Sequence, residues 1–377
     1  MARNSKFDDI RPYCDEEIPA AMQRIVASEY FPLLASYAYP GEPVEAVRER
    51  LLSFRTIDDF QFDTMFHVQE QIIDRSIDEL TYGGIERLDR DKRYLFVSNH
   101  RDIMLDSSLL QYILYCNGHR PTEITFGSNL MSSQLVIDIG KSNKMFRTER
   151  GGDMKEFYRH SLHLSEYIRY AITEKHESVW IAQRNGRAKD GRDATDQGIV
   201  KMFAMSGSND KAAALAELNI VPVAVSYEWE SCDMLKAVEL CKSRNAKYVK
   251  KAGEDLNSIL TGLLQPKGRV HIEICEPLRE EELRQFGNCV GNELNKKVAA
   301  LMDSRIYDAY RLTPNNFIAS DMRSGSNRFA DRYTDEQRAA FAAHMSRLDE
   351  CEVCDKELLR EIFLGIYANP VEYKNFG

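Results

Sequence analysis

The sequence predicts an α/β fold: a central mixed sheet flanked by helices, with helical regions before and after it. Three observations carry this reading. From Tyr94 to about Pro277, short apolar runs of strand character alternate with segments of helical period. Before residue 90 the apolar residues recur at three- and four-residue spacing, and after Pro277 that spacing returns. Strand–helix alternation packs as a sheet with helices on its faces, whereas unbroken helical period does not.

Residues 1–90 are expected to form a helical N-terminal region. EEIPAAMQRIVASEYFPLLASY and FDTMFHVQEQIIDRSIDELTY both place apolar side chains on one helical face, and Gly83-Gly84 ends the second. Residues 91–278 are expected to form the α/β domain. YLFVSN is its first strand, and IMLDSSLLQYILYCNG is a helix ended by Gly118. TEITFGS, KMFRT, SVWIAQ, IVPVAVSYEW and RVHIEIC are further strands. Between them GDMKEFYRHSLHLSEYIRYAITEK, TDQGIVKMFAMSG and KYVKKAGEDLNSILTGLLQ have a helical period. Residues 279–377 are expected to be helical again, in REEELRQFGNCVGNELNKKVAALMDSRIYDAY, DEQRAAFAAHMSRL and KELLREIFLGIY. Asn315 to Arg328 is polar and rich in Ser and Asn, and reads as a loop.

A chain of 377 residues, 43% hydrophobic and 29% charged, buries a large core and is ordinary for a globular protein. A formal net charge of −9 argues against a nucleic-acid partner, because phosphate binding rests on clustered Lys and Arg. A local basic pocket for a small anion remains compatible with it. The start, MARNSKFDDIRPYCDEE, lacks the apolar core of a secretory signal, and no apolar run approaches the roughly 18 residues of a membrane span. The expectation is a cytoplasmic protein whose membrane contact, if any, is peripheral and on the inner face of the cell membrane. The eight cysteines read as reduced, packed thiols. CEVC, Cys351 to Cys354, is a lone CxxC without a second ligand pair, so no metal site is expected.

The chemistry concentrates around SNHRDIMLDSS, Ser98 to Ser108. His100-Arg101-Asp102 spells the HRD of a protein-kinase loop, but a kinase needs an Asn five residues after that Asp, and Ser107 stands there. A Gly-rich strand loop upstream and a DFG downstream are also missing, so the kinase reading is rejected. The remaining pairing is His100 with a following carboxylate. Three more segments follow in order: NKMFRTERGG (Asn143 to Gly152), VWIAQRNGRAKDGRD (Val179 to Asp193) and NIVPVAVSY (Asn219 to Tyr227).

Together these four segments resemble the motif blocks of the glycerol-3-phosphate and 1-acylglycerol-3-phosphate acyltransferase family. The resemblance spans Ser98 to Tyr227, with RVHIEICEPL similar to the strand that closes that domain. It implies acyl transfer from a thioester, acyl-CoA or acyl carrier protein, to a hydroxyl of a glycerol-phosphate or lyso-lipid acceptor, without a further cofactor. His100 would be the general base, since His is the side chain suited to proton transfer near neutral pH. Asp106 would orient it and stabilise the imidazolium. Arg150, in the second block, and Arg187, after Asn185-Gly186 in the third, would hold the acceptor's anionic head group, because guanidinium forks grip phosphate bidentately. Lys144, Arg147, Arg184 and Lys189 add local positive charge, although single basic residues of this kind are more often surface groups or ion-pair partners.

Two positions depart from the family. Five residues separate His100 from Asp106 where the family has four, and Leu105 stands at the expected Asp. Asp102 is therefore a rival partner, with capping of the following helix as its plain structural role. Asn185-Gly186 stands where the family commonly has Glu-Gly; Asn hydrogen-bonds without bringing charge, and Asn-Gly is itself a turn former. The departures leave two other readings open: N-acylation of an aminoacyl lipid, or a lipid-binding homologue without catalysis. Pro222 reads as core, and His67, His119, His160, His163, His176, His271 and His344 as structural. FPLLASYAYP or an N-terminal amphipathic helix could lie in a bilayer interface, or simply pack on the sheet.

Overall fold

The computed structural model describes residues 5–374 apart from 132, 150, 245–247, 250–252, 288, 290, 291, 353 and 354. At its centre is a seven-stranded sheet: β1 (Ile77–Gly83), β2 (Leu95–Ser98), β3 (Glu123–Gly127), β4 (Met145–Thr148), β5 (Val179–Ala182), β6 (Ile220–Tyr227) and β7 (Gly268–Ile274). Their order is β1-β7-β6-β2-β5-β3-β4. β4, β3, β5, β2 and β6 run parallel, β7 is antiparallel to β6, and β1 is parallel to β7. The sheet is mixed, as the sequence predicts, and six of its strands are the six apolar runs between Tyr94 and Cys275.

β2 lies in the middle and is buried on both faces. Leu95 and Val97 point into one core, with Tyr167 and Ile168 of the helix Met154–Thr173. Phe96 points into the other, with Trp180 and with Leu109 and Ile113 of the helix Leu105–Cys116. Strands covered on both sides read as continuous apolar runs, which is why LFVS and IVPVAVSY stand out in the sequence. Pro222 sits inside β6 opposite Val97, and its carbonyl accepts from Cys275 N at 2.9 Å. It is core.

Two elements differ from expectation. The helical period that runs through IIDRSIDELTY breaks at Ser76, whose hydroxyl folds back on the Ile72 carbonyl at 2.7 Å. Lys267 N then donates to the Ser76 carbonyl at 2.7 Å, and Ile77 onward pairs with β7, so residues 77–83 are an edge strand. Within Asn315–Arg328, the expected loop, a helix Pro314–Ser324 forms. Thr313 and Asn316 make a capping box, Pro314 occupies the first turn, and Phe317, Ile318 and Ala319 are buried.

The N-terminal helices Ile18–Ala27, Phe31–Ala38 and Val44–Ser53 share a separate core through Met22, Phe31 and Leu51. FPLLASYA thus packs by Phe31, Ala35 and Ala38 while Leu33 stays exposed. Helices Asp233–Ser243, Pro314–Ser324, Asp335–Ser346 and Lys356–Ala368 build a C-terminal core around Phe341, Phe363 and Tyr367. Among the described residues no helix is long and apolar enough to cross a membrane.

Candidate active site

Ligand sites in open α/β sheets form at the carboxyl ends of the parallel strands. β2 delivers Asn99 and His100 to that end. The Asn99 side chain continues the ladder: its Nδ2 donates to the Val225 carbonyl at 3.0 Å and its Oδ1 accepts from Val225 N at 2.7 Å. The chain is thereby held extended up to His100 before it turns into the helix Leu105–Cys116.

Asp106 is the partner of His100. His100 Nδ1 lies 2.8 Å from Asp106 Oδ2. The same oxygen accepts from Arg101 N at 2.6 Å and Asp102 N at 2.9 Å, while Oδ1 accepts from the Tyr227 hydroxyl at 2.8 Å. The six-residue separation works because residues 100–102 wrap around the carboxylate, which projects back from the first helical turn. The extra residue is absorbed in the bend at 102–104. An ionised carboxylate is acceptor-only, so Nδ1 carries the proton and Nε2 presents a lone pair. Nε2 has no protein partner among the described residues, and the ring edge packs against Trp180.

Asp102 does other work. Its Oδ1 accepts from Met104 N and Leu105 N, both at 2.8 Å, which caps the helix, and its Oδ2 accepts from the Ser231 hydroxyl. The two carboxylates that the sequence left as rivals therefore have separate tasks. Tyr227 is a residue that sequence reading missed. A phenol closing an eight-residue apolar strand was the available signal. Burial, with the Asp106 and Asp102 carboxylates adding to it, holds its hydroxyl protonated well above the ordinary phenol range.

The third block docks beside His100. Gln183 N donates to the Ser98 carbonyl at 2.8 Å, continuing the pairing of β2 with β5, and Ala188 N donates to the His100 carbonyl at 2.8 Å. That bond sets Arg187 next to the histidine loop. Arg187 is buried, and its Nη1 has no hydrogen-bond partner among the described residues. Gly186 turns the chain with φ +77°, and a side chain there would meet open space. Asn185 is exposed beside it. Arg150 lies outside the described residues, as does Cys354 of CEVC. Of the other cations, Lys144 pairs with Glu177 at 3.5 Å, Arg147 with Glu149 at 2.7 Å and Lys189 with Glu239. They are internally neutralised, whereas Arg187, buried and with Nη1 unbonded, has no carboxylate partner among the described residues; Arg101 also has an unbonded Nε but is ion-paired with Asp193 and Glu230.

Behind the site lies a buried charge cluster that the sequence did not announce. Arg101 donates to Asp193 Oδ2 at 2.6 Å and Glu230 Oε2 at 3.3 Å. Lys236 donates to Glu230 Oε1 at 2.5 Å and to the Arg101 carbonyl at 2.7 Å. Two cations and two carboxylates balance. Neither the Arg nor the Asp of HRD serves as a kinase would need. The loop after β5 is further clamped from the C-terminal region. Tyr373 donates to the Gly191 carbonyl at 2.7 Å, Asn369 to the Asp190 carbonyl at 2.6 Å, and Thr195 to Asp303 at 2.6 Å. Among the described residues no group of three His, Cys, Asp or Glu side chains is gathered for a metal.

Residues 79–226 match the family model described as Acyltransferase. The glycerol-3-phosphate acyltransferases of Pseudomonas fluorescens (strain Pf0-1) and Pseudomonas entomophila (strain L48) align with this chain at 23% and 25% identity. Over this stretch the chain is similar to acyltransferases of the glycerolipid type. Those alignments take in 63% and 62% of it but only 29% and 28% of the relatives, so the chain spans less than a third of their length. The structure of the 1-acyl-sn-glycerophosphate acyltransferase of Thermotoga maritima covers 78% of this chain and 98% of its own, at 14% identity and a TM-score of 0.36. That likeness is too slight to carry any argument. The acyltransferase match stops at the end of β6, whereas the cluster around Arg101 draws on Glu230 and Lys236 beyond it.

Proposed function

We propose that this protein is an O-acyltransferase that moves a fatty acyl group from a thioester to a hydroxyl of a glycerol-phosphate or lyso-lipid acceptor. The observation that carries the reading is the His100–Asp106 pair: Nδ1 is bound to a fixed carboxylate and Nε2 is unoccupied, with the unspent Arg187 guanidinium on the adjoining loop. In the proposed reaction the acceptor hydroxyl attacks the thioester carbonyl carbon as His100 Nε2 takes its proton. The tetrahedral intermediate collapses with cleavage of the C–S bond, and the imidazolium returns the proton to the departing thiolate. Asp106 holds the tautomer and stabilises the imidazolium. Base assistance of this kind contributes about 10²–10⁴ in rate.

Arg187, Arg150 and the Asn185-Gly186 turn are assigned to the acceptor's phosphate. A guanidinium buried without a partner is costly, and a bidentate phosphate relieves that cost. The donor is acyl-CoA or acyl carrier protein, the site is on the cytoplasmic side, and contact with a membrane is peripheral.

The test is thiol release from acyl-CoA in the presence of glycerol 3-phosphate, lysophosphatidate or aminoacyl-lipid acceptors, with His100→Ala as control. Base-labile ester formed by the wild type and not by the variant supports the reading. Full activity in His100→Ala overturns it. A base-stable amide product points to N-acylation, and acceptor binding without turnover across the panel points to a lipid-binding homologue.

A further inference from the structure

We infer that Tyr373 and Asn369 are positioning residues for the acceptor: the C-terminal turn that carries them holds Arg187 inward, ready for the acceptor's phosphate. The inference deepens the acyl-transfer reading and rests on it for what Arg187 binds.

A guanidinium without a carboxylate does not stay buried unaided. Arg187 is buried, its Nη1 is unbonded, and no carboxylate pairs with it among the described residues. Water would supply the hydrogen bonds that the interior withholds, so a loose loop would swing this side chain outward. The loop has the freedom to do so. Residues 183–196, between β5 and the helix Gln197–Phe203, form neither helix nor strand. Gly186 and Gly191, on either side of Arg187, both take φ +77°, a conformation open to glycine at little cost. The restraint must come from outside the loop.

On one side that restraint is the bond from Ala188 N to the His100 carbonyl at 2.8 Å. On the other it is the 3₁₀ turn Asn369–Tyr373. The Tyr373 oxygen accepts from Asp193 N at 2.6 Å, and its hydroxyl donates to the Gly191 carbonyl at 2.7 Å. Asn369 Nδ2 donates to the Asp190 carbonyl at 2.6 Å. Gly191 also lies hard against the helix Lys356–Ala368: a Cβ there would come within 2.2 Å of the Ile366 carbonyl oxygen.

The turn has its own anchors and does not lean on the loop. Arg323 Nη1 donates to Asn369 Oδ1 at 2.7 Å, and the Tyr373 ring stacks on Tyr307 with centroids 4.1 Å apart and planes 12° apart. Burial, with Asp193 adding to it, keeps the Tyr373 hydroxyl protonated well above the ordinary phenol range, so it goes on donating to Gly191. The histidine is held by other groups. Asp106 accepts from Tyr227 and from the amides of Arg101 and Asp102, none of them in the turn. Loosening the turn should therefore weaken acceptor binding and leave proton transfer as it is. Side chains that hold a binding group in its bound position raise affinity without touching the ligand.

The test uses two mild variants of the full chain. Tyr373→Phe keeps the ring stack and removes both hydroxyl bonds. Asn369→Asp keeps the acceptor for Arg323 and removes the donor to Asp190. Steady-state kinetics with glycerol 3-phosphate and acyl-CoA are measured beside calorimetric binding of glycerol 3-phosphate, with circular dichroism and Tm confirming the fold. Each variant is expected to raise the acceptor KM and Kd by about five- to tenfold, with kcat and the acyl-CoA KM near wild type. Added to Arg187→Ala, Tyr373→Phe should raise neither further, because it acts through that guanidinium. A turn with a merely structural role would lower Tm and leave the acceptor KM and Kd unchanged, which overturns the inference. So does a full Tyr373→Phe effect on top of Arg187→Ala, a fall in kcat with KM unmoved, or a wild type that does not bind glycerol 3-phosphate. Binding that depends on Tyr373 through Arg187, with no acylation by the wild type, sinks the enzyme reading alone. Acylation with an acceptor KM indifferent to Tyr373 and Asn369 sinks the positioning role alone.

Discussion

The Tyr227 hydroxyl donates to Oδ1 of Asp106, the carboxylate oxygen that His100 does not use. The carboxylate is thus fixed from both sides and cannot rotate away from the imidazole. Tyr227→Phe is expected to lower kcat by roughly tenfold, about 1.4 kcal/mol of lost positioning, with the acceptor KM unmoved. An equal change in KM would mean that Tyr227 acts on binding instead.

Asp106 and Asp102 should separate cleanly under mutation. Asp106→Asn removes the acceptor that sets the histidine tautomer and is expected to cost about 10²–10⁴ in kcat. Asp102→Ala removes a helix cap and is expected to cost about 1–2 kcal/mol of stability in urea unfolding, with kcat within a few-fold of wild type. The reverse outcome would make Asp102 the orienting group.

Acceptor affinity should depend on Arg187 and little on the neighbouring lysines. Losing a charge-assisted hydrogen bond of roughly 1.5–3 kcal/mol raises KM for a phosphorylated acceptor by about 10–100-fold in Arg187→Ala. Lys144→Ala and Lys189→Ala remove cations already paired with Glu177 and Glu239, so their acceptor KM should stay near wild type. Saturation kinetics with glycerol 3-phosphate would decide.

The cluster behind the site is balanced only while all four members are present. Arg101→Met leaves the Asp193 and Glu230 carboxylates buried with one cation and should destabilise the fold by about 3–5 kcal/mol. Adding Asp193→Asn should cost less than the sum of the two single changes, a coupling that a double-mutant cycle in urea reads directly.

Lys267 carries a pH signature. It is buried with its Nζ on the Gln265 carbonyl and the Ser76 hydroxyl, and burial lowers its pKa to about 8, against the pull of Asp102. Between pH 8 and the ordinary lysine range near 10.4, the unfolded chain holds this proton and the folded chain does not, so stability rises with pH in that window. The cost below pH 8 is up to about 3 kcal/mol. Lys267→Met should therefore be relatively more stabilising at pH 7 than at pH 9.5, and a difference that does not change with pH would refute this.

Much of the sheet was legible because strands buried on both faces are written as short, uninterrupted apolar runs. Ile77–Gly83 was not, because it follows a helix with no turn residue between and has one edge unpaired. The helix Pro314–Ser324 was hidden by its Asn and Ser content, although Thr313-Pro314 is a start signal in itself. At the site, the histidine and its two rival carboxylates were visible in one short stretch, and only the wrapped backbone at 100–102 could choose between them. The contacts of Arg101 with Asp193, Glu230 and Lys236 join residues far apart in sequence, and no periodicity encodes such a meeting. Burial of four charges is a property of the assembled fold.

The loop that carries Arg187 owes its rigidity to Asn369, Tyr373 and Asp303, all outside the stretch that matches the family domain. Heat that loosens the last helices would release that loop while β2 and β6 are still paired. The site would then fail before the sheet melts, and the temperature at which activity disappears would report on the C-terminal helices rather than on the domain that holds the histidine.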